Sequence, residues 1–111
     1  VLESGIYDVY ERLALRVSAQ ELGCERAAFR DAVRARLNHG ATLAAFPGPC
    51  LVLHAERDDL VSISHAERNA RACGDRGQLV RFARGDHNSL LALNTQAYYD
   101  ALRAFLDRAV A

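Results

Sequence analysis

The chain has 111 residues, 50% of them hydrophobic and 25% charged, with 14 acidic and 14 basic side chains and a formal net charge of +0. That length builds one modest globular domain or part of one. All the bases are Arg, with acids interleaved among them, so no one-sided basic stripe for nucleic acid is present. No apolar run reaches the roughly 20 residues of a bilayer span, and no signal peptide is visible. Cys24, Cys50 and Cys73 have no CxxC spacing, which speaks against zinc, a redox motif or a disulfide framework and for a reduced, cytoplasmic setting.

In chain order, Val1–Ser4 is expected to be the end of a strand, broken at Gly5. An opening of Val1-Leu2-Glu3-Ser4 reads like the interior of a longer sequence, so a partial domain is expected. Residues 6–46 are expected to be helical and lid-like. Ile6, Val9, Tyr10, Leu13 and Val17 recur at helical spacing and predict a helix over about 8–19. A second helix is predicted from about Glu25 to Asn38, with Ala28, Phe29, Ala32, Val33 and Leu37 on one face. Asn38-His39-Gly40 reads as its stop, with Gly40 free to take a positive φ, and 42–48 as a connector.

After Pro47-Gly48-Pro49, the run from Cys50 to His54 predicts a strand buried on both faces. Ser64-His65-Ala66-Glu67 has capping-box spacing and predicts a helix from there to about Gly74, with Ser62 and Ser64 as caps. A third strand is expected over 78–83, a loop over 84–93, and a last helix over about 95–110. That helix should bury Tyr98, Ala101, Leu102, Phe105 and Leu106. Strands alternating with helices predict an α/β fold, a small sheet of about three parallel strands with flanking helices. Its outer edge would be open to a partner strand.

Parallel strands deliver their following loops to the same end of the sheet, and neighbouring strands lie about 4.8 Å apart. Asp58 follows the second strand and His87 the third, so the two side chains can meet there. A carboxylate bonded to an imidazole fixes its tautomer and stabilises the imidazolium. That is the acid–base half of a nucleophile–His–acid triad.

The segment His54-Ala55-Glu56-Arg57-Asp58-Asp59-Leu60-Val61, followed 29 residues after Asp58 by His87 in Gly85-Asp86-His87-Asn88, resembles the C-terminal part of an α/β-hydrolase. The subgroup it is similar to is the serine aminopeptidase-like and Bem46-like one. The resemblance covers nearly the whole chain and is carried by residues 49–106. Ala55 stands where that family has Gly. The resemblance implies Asp58 as triad acid and His87 as base, with Gly85 and Asn88 supporting the loop and Asp59 a decoy. It also implies hydrolysis of an ester, thioester or amide, with no metal or organic cofactor.

No Gly-x-Ser-x-Gly elbow is present, so the resemblance places the nucleophilic Ser upstream of Val1, and the 111 residues alone are expected to be inactive. Ser4 and Ser18 lack nucleophile flanks, and Ser89 shares the base's own loop. His39, His54 and His65 have no paired ligand spacing and read as structural or surface residues. Tyr7 and Tyr10 are candidate substrate contacts if the first helix lines a pocket. The alternative reading is a non-catalytic hydrolase-like module that binds a partner through its open sheet edge.

Overall fold

The computed structural model describes residues 1–110; Ala111, the last residue of the 49–111 segment, lies outside them. Three parallel strands run in the order β1 (Leu2–Glu3), β2 (Cys50–Ala55), β3 (Gly77–Phe82), with helices packed on them. β2 takes the centre because its six residues are all buried, whereas β3 is half covered and β1 is a two-residue edge. In the register, Val52 lies between Leu2 and Leu79, and Ala55 pairs with Phe82.

Side chains alternate across β2. Leu51, Leu53 and Ala55 join Phe82, Leu90 and Phe105 in the core, and Tyr98, Ala101 and Leu102 of α6 (Thr95–Ala109) pack against that cluster. Leu106, expected on the same stripe, is exposed. It follows Phe105 by one residue, which turns it about 100° around the helix and off the sheet. Helix α4 (Ile63–Ala72) also packs on β2 and buries His65, Ala66 and Asn69. Beside it, burial and then the neighbouring Cys50 push the Cys73 thiol up to about 11, which makes it an inert core residue. The Glu3 carboxylate next to the Tyr98 hydroxyl, and burial after it, push that phenol up to about 12 and mark where α6 meets β1.

Residues 6–46 differ most from expectation. The first helix, α1 (Val9–Ala14), stops five residues before Ala19. The cause is local: Ser18 N donates to Glu21 Oε2 at 3.0 Å and Glu21 N to Ser18 Oγ at 3.2 Å. That capping-box exchange closes a separate turn ending at Gly23, whose φ is +69, and competes with helix continuation. Helix α2 spans Arg26–Arg36 and buries no residue fully; its Phe29 meets Tyr10 edge-on at 5.3 Å.

Asn38 begins a helix rather than ending one. Its Oδ1 accepts from Ala41 N at 2.9 Å and starts α3 (His39–Ala45), where a connector was expected. Asn serves both helix ends, so the tripeptide was ambiguous. Gly40 lies inside α3 and is not among the glycines with positive φ. It is small because Tyr7 packs on it: an added Cβ would lie 2.9 Å from Tyr7 Cε2. Arg76 closes the C-terminal end of α3, donating to Ala44 O at 3.2 Å within the helix, to Phe46 O at its cap and to Gly48 O at 3.1 Å beyond it. Helix α4 starts one residue before the expected Ser64: Ser62 is the N-cap, and its Oγ accepts from Ser64 N at 3.2 Å.

The irregular segment from Gly5 to Asp8 is held by side chains. Asn69 Nδ2 donates to Gly5 O at 3.1 Å, and His39 Nδ1 donates to Ile6 O at 3.0 Å. His65 Nδ1 accepts from Tyr7 N at 3.1 Å and Asp8 N at 3.4 Å. Asp8 Oδ1 caps α1, accepting from Tyr10 N at 3.0 Å, while its Oδ2 takes Arg34 Nη2 at 2.7 Å and Nε at 3.1 Å.

His65 accepts these bonds only while Nδ1 is unprotonated. Burial, then the Arg68 guanidinium, hold it below its ordinary value of 6.5, against the opposing pull of Glu11 and Asp8. The unfolded chain therefore takes up this proton first as pH falls. The contribution to stability is complete above about pH 6.5 and is lost as the pH falls below it. Thermal unfolding should show a drop in Tm between pH 7 and pH 5 that is smaller in His65→Gln; an equal drop in both would remove His65 from the account.

Ser4 closes β1 with a φ of 54, the left-handed region, and its Oγ is buried with no partner. Ser4→Gly removes both costs, and about 1 kcal/mol of added stability is expected in urea titration.

Candidate active site

β2 ends in a turn built around Asp58. Glu56 N donates to Phe82 O at 2.9 Å and Asp58 N to Ala55 O at 3.2 Å, so the chain reverses at once after the strand. The Asp58 carboxylate then folds back on its own turn: Oδ1 accepts from Leu60 N at 3.0 Å and from Val61 N at 2.8 Å. This leaves Oδ2 for a second partner, and it lies 2.9 Å from His87 Nδ1. The two loops that follow neighbouring parallel strands have met, as their positions in the chain predicted.

The pair is asymmetric. The Asp58 side chain has no exposure, and that of His87 has 29%. Burial pushes Asp58 up, but the Val61 N–H, His87 and the Leu60 N–H together outweigh it and hold the carboxyl below its ordinary value. An ionised carboxylate is acceptor-only, so the hydrogen between the two belongs to His87 Nδ1. In the neutral ring Nε2 is then the nitrogen without a hydrogen, and among the described residues it makes no hydrogen bond. A neutral imidazole with its acceptor nitrogen free and its donor nitrogen fixed on a buried carboxylate is arranged to take up a proton and hold it.

The loop that carries His87 is held at both ends. Gly85 has a φ of +90, and a Cβ there would lie 3.3 Å from Ser89 Oγ, so the position favours glycine twice over. Asp86 is the organiser: its Oδ1 accepts from Asn88 N at 3.0 Å, Ser89 N at 3.1 Å and Ser89 Oγ at 2.8 Å. Asn88 takes part through its backbone and is exposed. Four-residue α5 (Leu90–Leu93) follows where only loop was expected; its buried Leu90 anchors the loop in the core. Asn94 Nδ2 joins the loop's ends, donating to Arg84 O at 2.9 Å and Leu90 O at 2.8 Å.

Asp59 is exposed and joins no ion pair among the described residues, in contrast to Asp58. Tyr10 is buried against Phe29, and Tyr7 lies under Arg68 at 5.1 Å and against Gly40, so neither faces the pair. The part of the helical segment that does reach the acid is Glu11, Arg12 and Leu15. With Asp58, Leu60 and His65 they line an open cavity of about 270 Å³. Nothing in the spacing of those three residues marks them; only the docking of α1 on α4, through the Glu11–Arg68 fork at 2.7 and 2.9 Å, brings them there. Among the described residues, no group of three or more His, Cys, Asp or Glu could hold a metal ion, and no helix is long and apolar enough to cross a membrane.

No protein-family model matches the chain, and neither a curated protein nor a solved structure is significantly similar to it.

Proposed function

We propose that the chain supplies the acid and base of a Ser-His-Asp triad in a serine hydrolase of the α/β-hydrolase type. The substrate class is an ester, thioester or amide, and the serine comes from a segment outside these residues. The observation that carries the reading is the 2.9 Å bond from His87 Nδ1 to the buried Oδ2 of Asp58, set at the carboxyl end of neighbouring parallel strands. His87 Nε2 removes the serine proton as its Oγ attacks the carbonyl. The imidazolium is held by Asp58 and then gives that proton to the leaving group. These steps need neither metal nor organic cofactor.

Ser89 is the nearest rival nucleophile in sequence, but its hydroxyl is spent within its own loop, donating to Asp86 Oδ1 and accepting from Asp86 N at 2.9 Å. The test is p-nitrophenyl ester hydrolysis. The isolated chain should show no turnover above buffer. Joined to its serine-bearing segment it should turn over, and His87→Ala should abolish this. Turnover by the isolated chain that disappears in Ser89→Ala would refute the reading.

A second reading, a non-catalytic hydrolase-like module, rests on the strand order: the outer edges of β1 and β3 have no strand partner among the described residues. In that case a partner strand adds to an edge, and Asp58→Asn leaves the association unchanged.

A further inference from the structure

The proton acceptor and its carboxylate do not exhaust the buried polar chemistry here. His54, the fifth residue of the central strand, has no solvent exposure. Its Nε2 lies 2.7 Å from Val61 O, and its Nδ1 is buried with no partner. A carbonyl only accepts, so Nε2 carries the proton. A second proton on Nδ1 would face no acceptor, so the geometry suits a neutral ring. The same Nε2 is 3.4 Å from Asp58 Oδ2, yet its hydrogen bond goes to the carbonyl.

A buried imidazole with one orphaned nitrogen is a poor core filler, because a leucine would fill the strand position with no unsatisfied atom. Its other nitrogen accounts for it. Val61 is grasped from both sides of its backbone: its carbonyl accepts from His54, and its N–H donates to Asp58 Oδ1 at 2.8 Å. Fixing Val61 fixes Oδ1, and fixing Oδ1 turns Oδ2 toward His87 Nδ1.

We propose that His54 is a positioning residue for the Asp58–His87 pair: a neutral N–H donor that pins Val61 and, through it, the rotation of the Asp58 carboxylate. The proposal rests on the reading of that pair as acid and base. Neutrality is part of the function. A cation 3.4 Å from Oδ2 would satisfy Asp58 from the wrong side, whereas a neutral donor bonded elsewhere leaves the full carboxylate charge for the imidazolium that forms on His87.

The experiment is imidazole 15N NMR at pH 7 on the 111-residue chain, with His54→Phe, His54→Gln and Asp58→Asn variants. In the unmutated protein His54 should be the single Nε2–H tautomer and His87 the single Nδ1–H tautomer. His54→Phe keeps a ring but no donor. His87 should then sample both tautomers, and exchange protection of the Val61 N–H should fall about tenfold. The amide of His54→Gln reaches the same carbonyl and should restore both readings.

A folded His54→Phe variant whose His87 stays a single Nδ1–H tautomer overturns the proposal. If His54→Phe does not fold, the unmutated protein decides: an Nδ1–H or doubly protonated His54 overturns it, and the Nε2–H form supports it. Asp58→Asn separates the two levels. If it leaves His87 unchanged, the acid–base pair itself fails; if it flips His87 while folded His54→Phe does nothing, only the role of His54 fails.

Discussion

On the proposed triad reading, Asp58→Asn is expected to lower kcat/KM for ester hydrolysis by about 10⁴-fold, measured on the chain together with the serine-bearing segment that reading requires. The size follows from which end of the amide must face which partner. Leu60 N and Val61 N both donate to the Oδ1 position, so an asparagine has to place its oxygen there. Its NH2 group then occupies the Oδ2 position, 2.9 Å from His87 Nδ1. An NH2 is a donor, so Nδ1 must become the acceptor and Nε2 must carry the hydrogen. The ring then offers a proton to the serine instead of taking one, and the charge that would stabilise the imidazolium is gone. The turn keeps its oxygen, so folding should change little, and the loss should appear in rate rather than in Tm. Asp59→Asn, at an exposed position with no ion-pair partner among the described residues, should leave kcat/KM within about twofold. A loss below tenfold in Asp58→Asn would remove Asp58 from the role of acid.

The parts of this arrangement that were legible in the sequence are those set by strong local pattern. The apolar run Cys50–Leu53 and the strand expected over 78–83 are neighbouring parallel strands, and their following loops meet through Asp58 and His87. Boundaries failed where one short polar group can serve two purposes. Asn38 reads as a helix stop but is a helix start; Ser18 and Glu21 break a helix that apolar periodicity alone would continue. Of the two serines expected as caps of α4, Ser62 caps it and Ser64 lies inside the helix, since two serines two residues apart offer the same cap chemistry.

What could not be read at all are the long-range side-chain-to-backbone bonds. His39, His65 and Asn69 hold carbonyls or N–H groups of residues 5–8 across more than 30 residues of chain. Backbone partners have no side-chain identity, so such bonds leave no spacing to find. The same holds for His54, whose partner is the carbonyl of Val61. Arg12 and Leu15 reach the acid only because α1 docks where it does.

The largest stability effect is expected at Leu53. It has no exposure, sits on the central strand, and packs in the one cluster that joins β2, β3, α5 and α6. Leu53→Ala removes three methylene-sized groups from a site bounded by neighbouring strands on both sides, which leaves little room for collapse. The loss should therefore lie in the upper part of the roughly 2–5 kcal/mol range of such truncations. Domains of this kind have about 5–15 kcal/mol in all. Here that total rests on a small core, because α2 and α3 bury no residue fully and Tyr10 alone is buried in α1. The urea midpoint of Leu53→Ala should fall sharply with an unchanged slope. Leu106→Ala, a change of the same chemistry at a position 53% exposed on α6, should cost under about 0.5 kcal/mol. Equal costs at the two positions would mean that the face of α6 turned away from the sheet is itself covered. Because Asp58 and His87 hang from the ends of β2 and β3, partial loss of that core should also loosen their 2.9 Å bond, so on the proposed reading hydrolysis in Leu53→Ala should fall at temperatures where the chain is still folded.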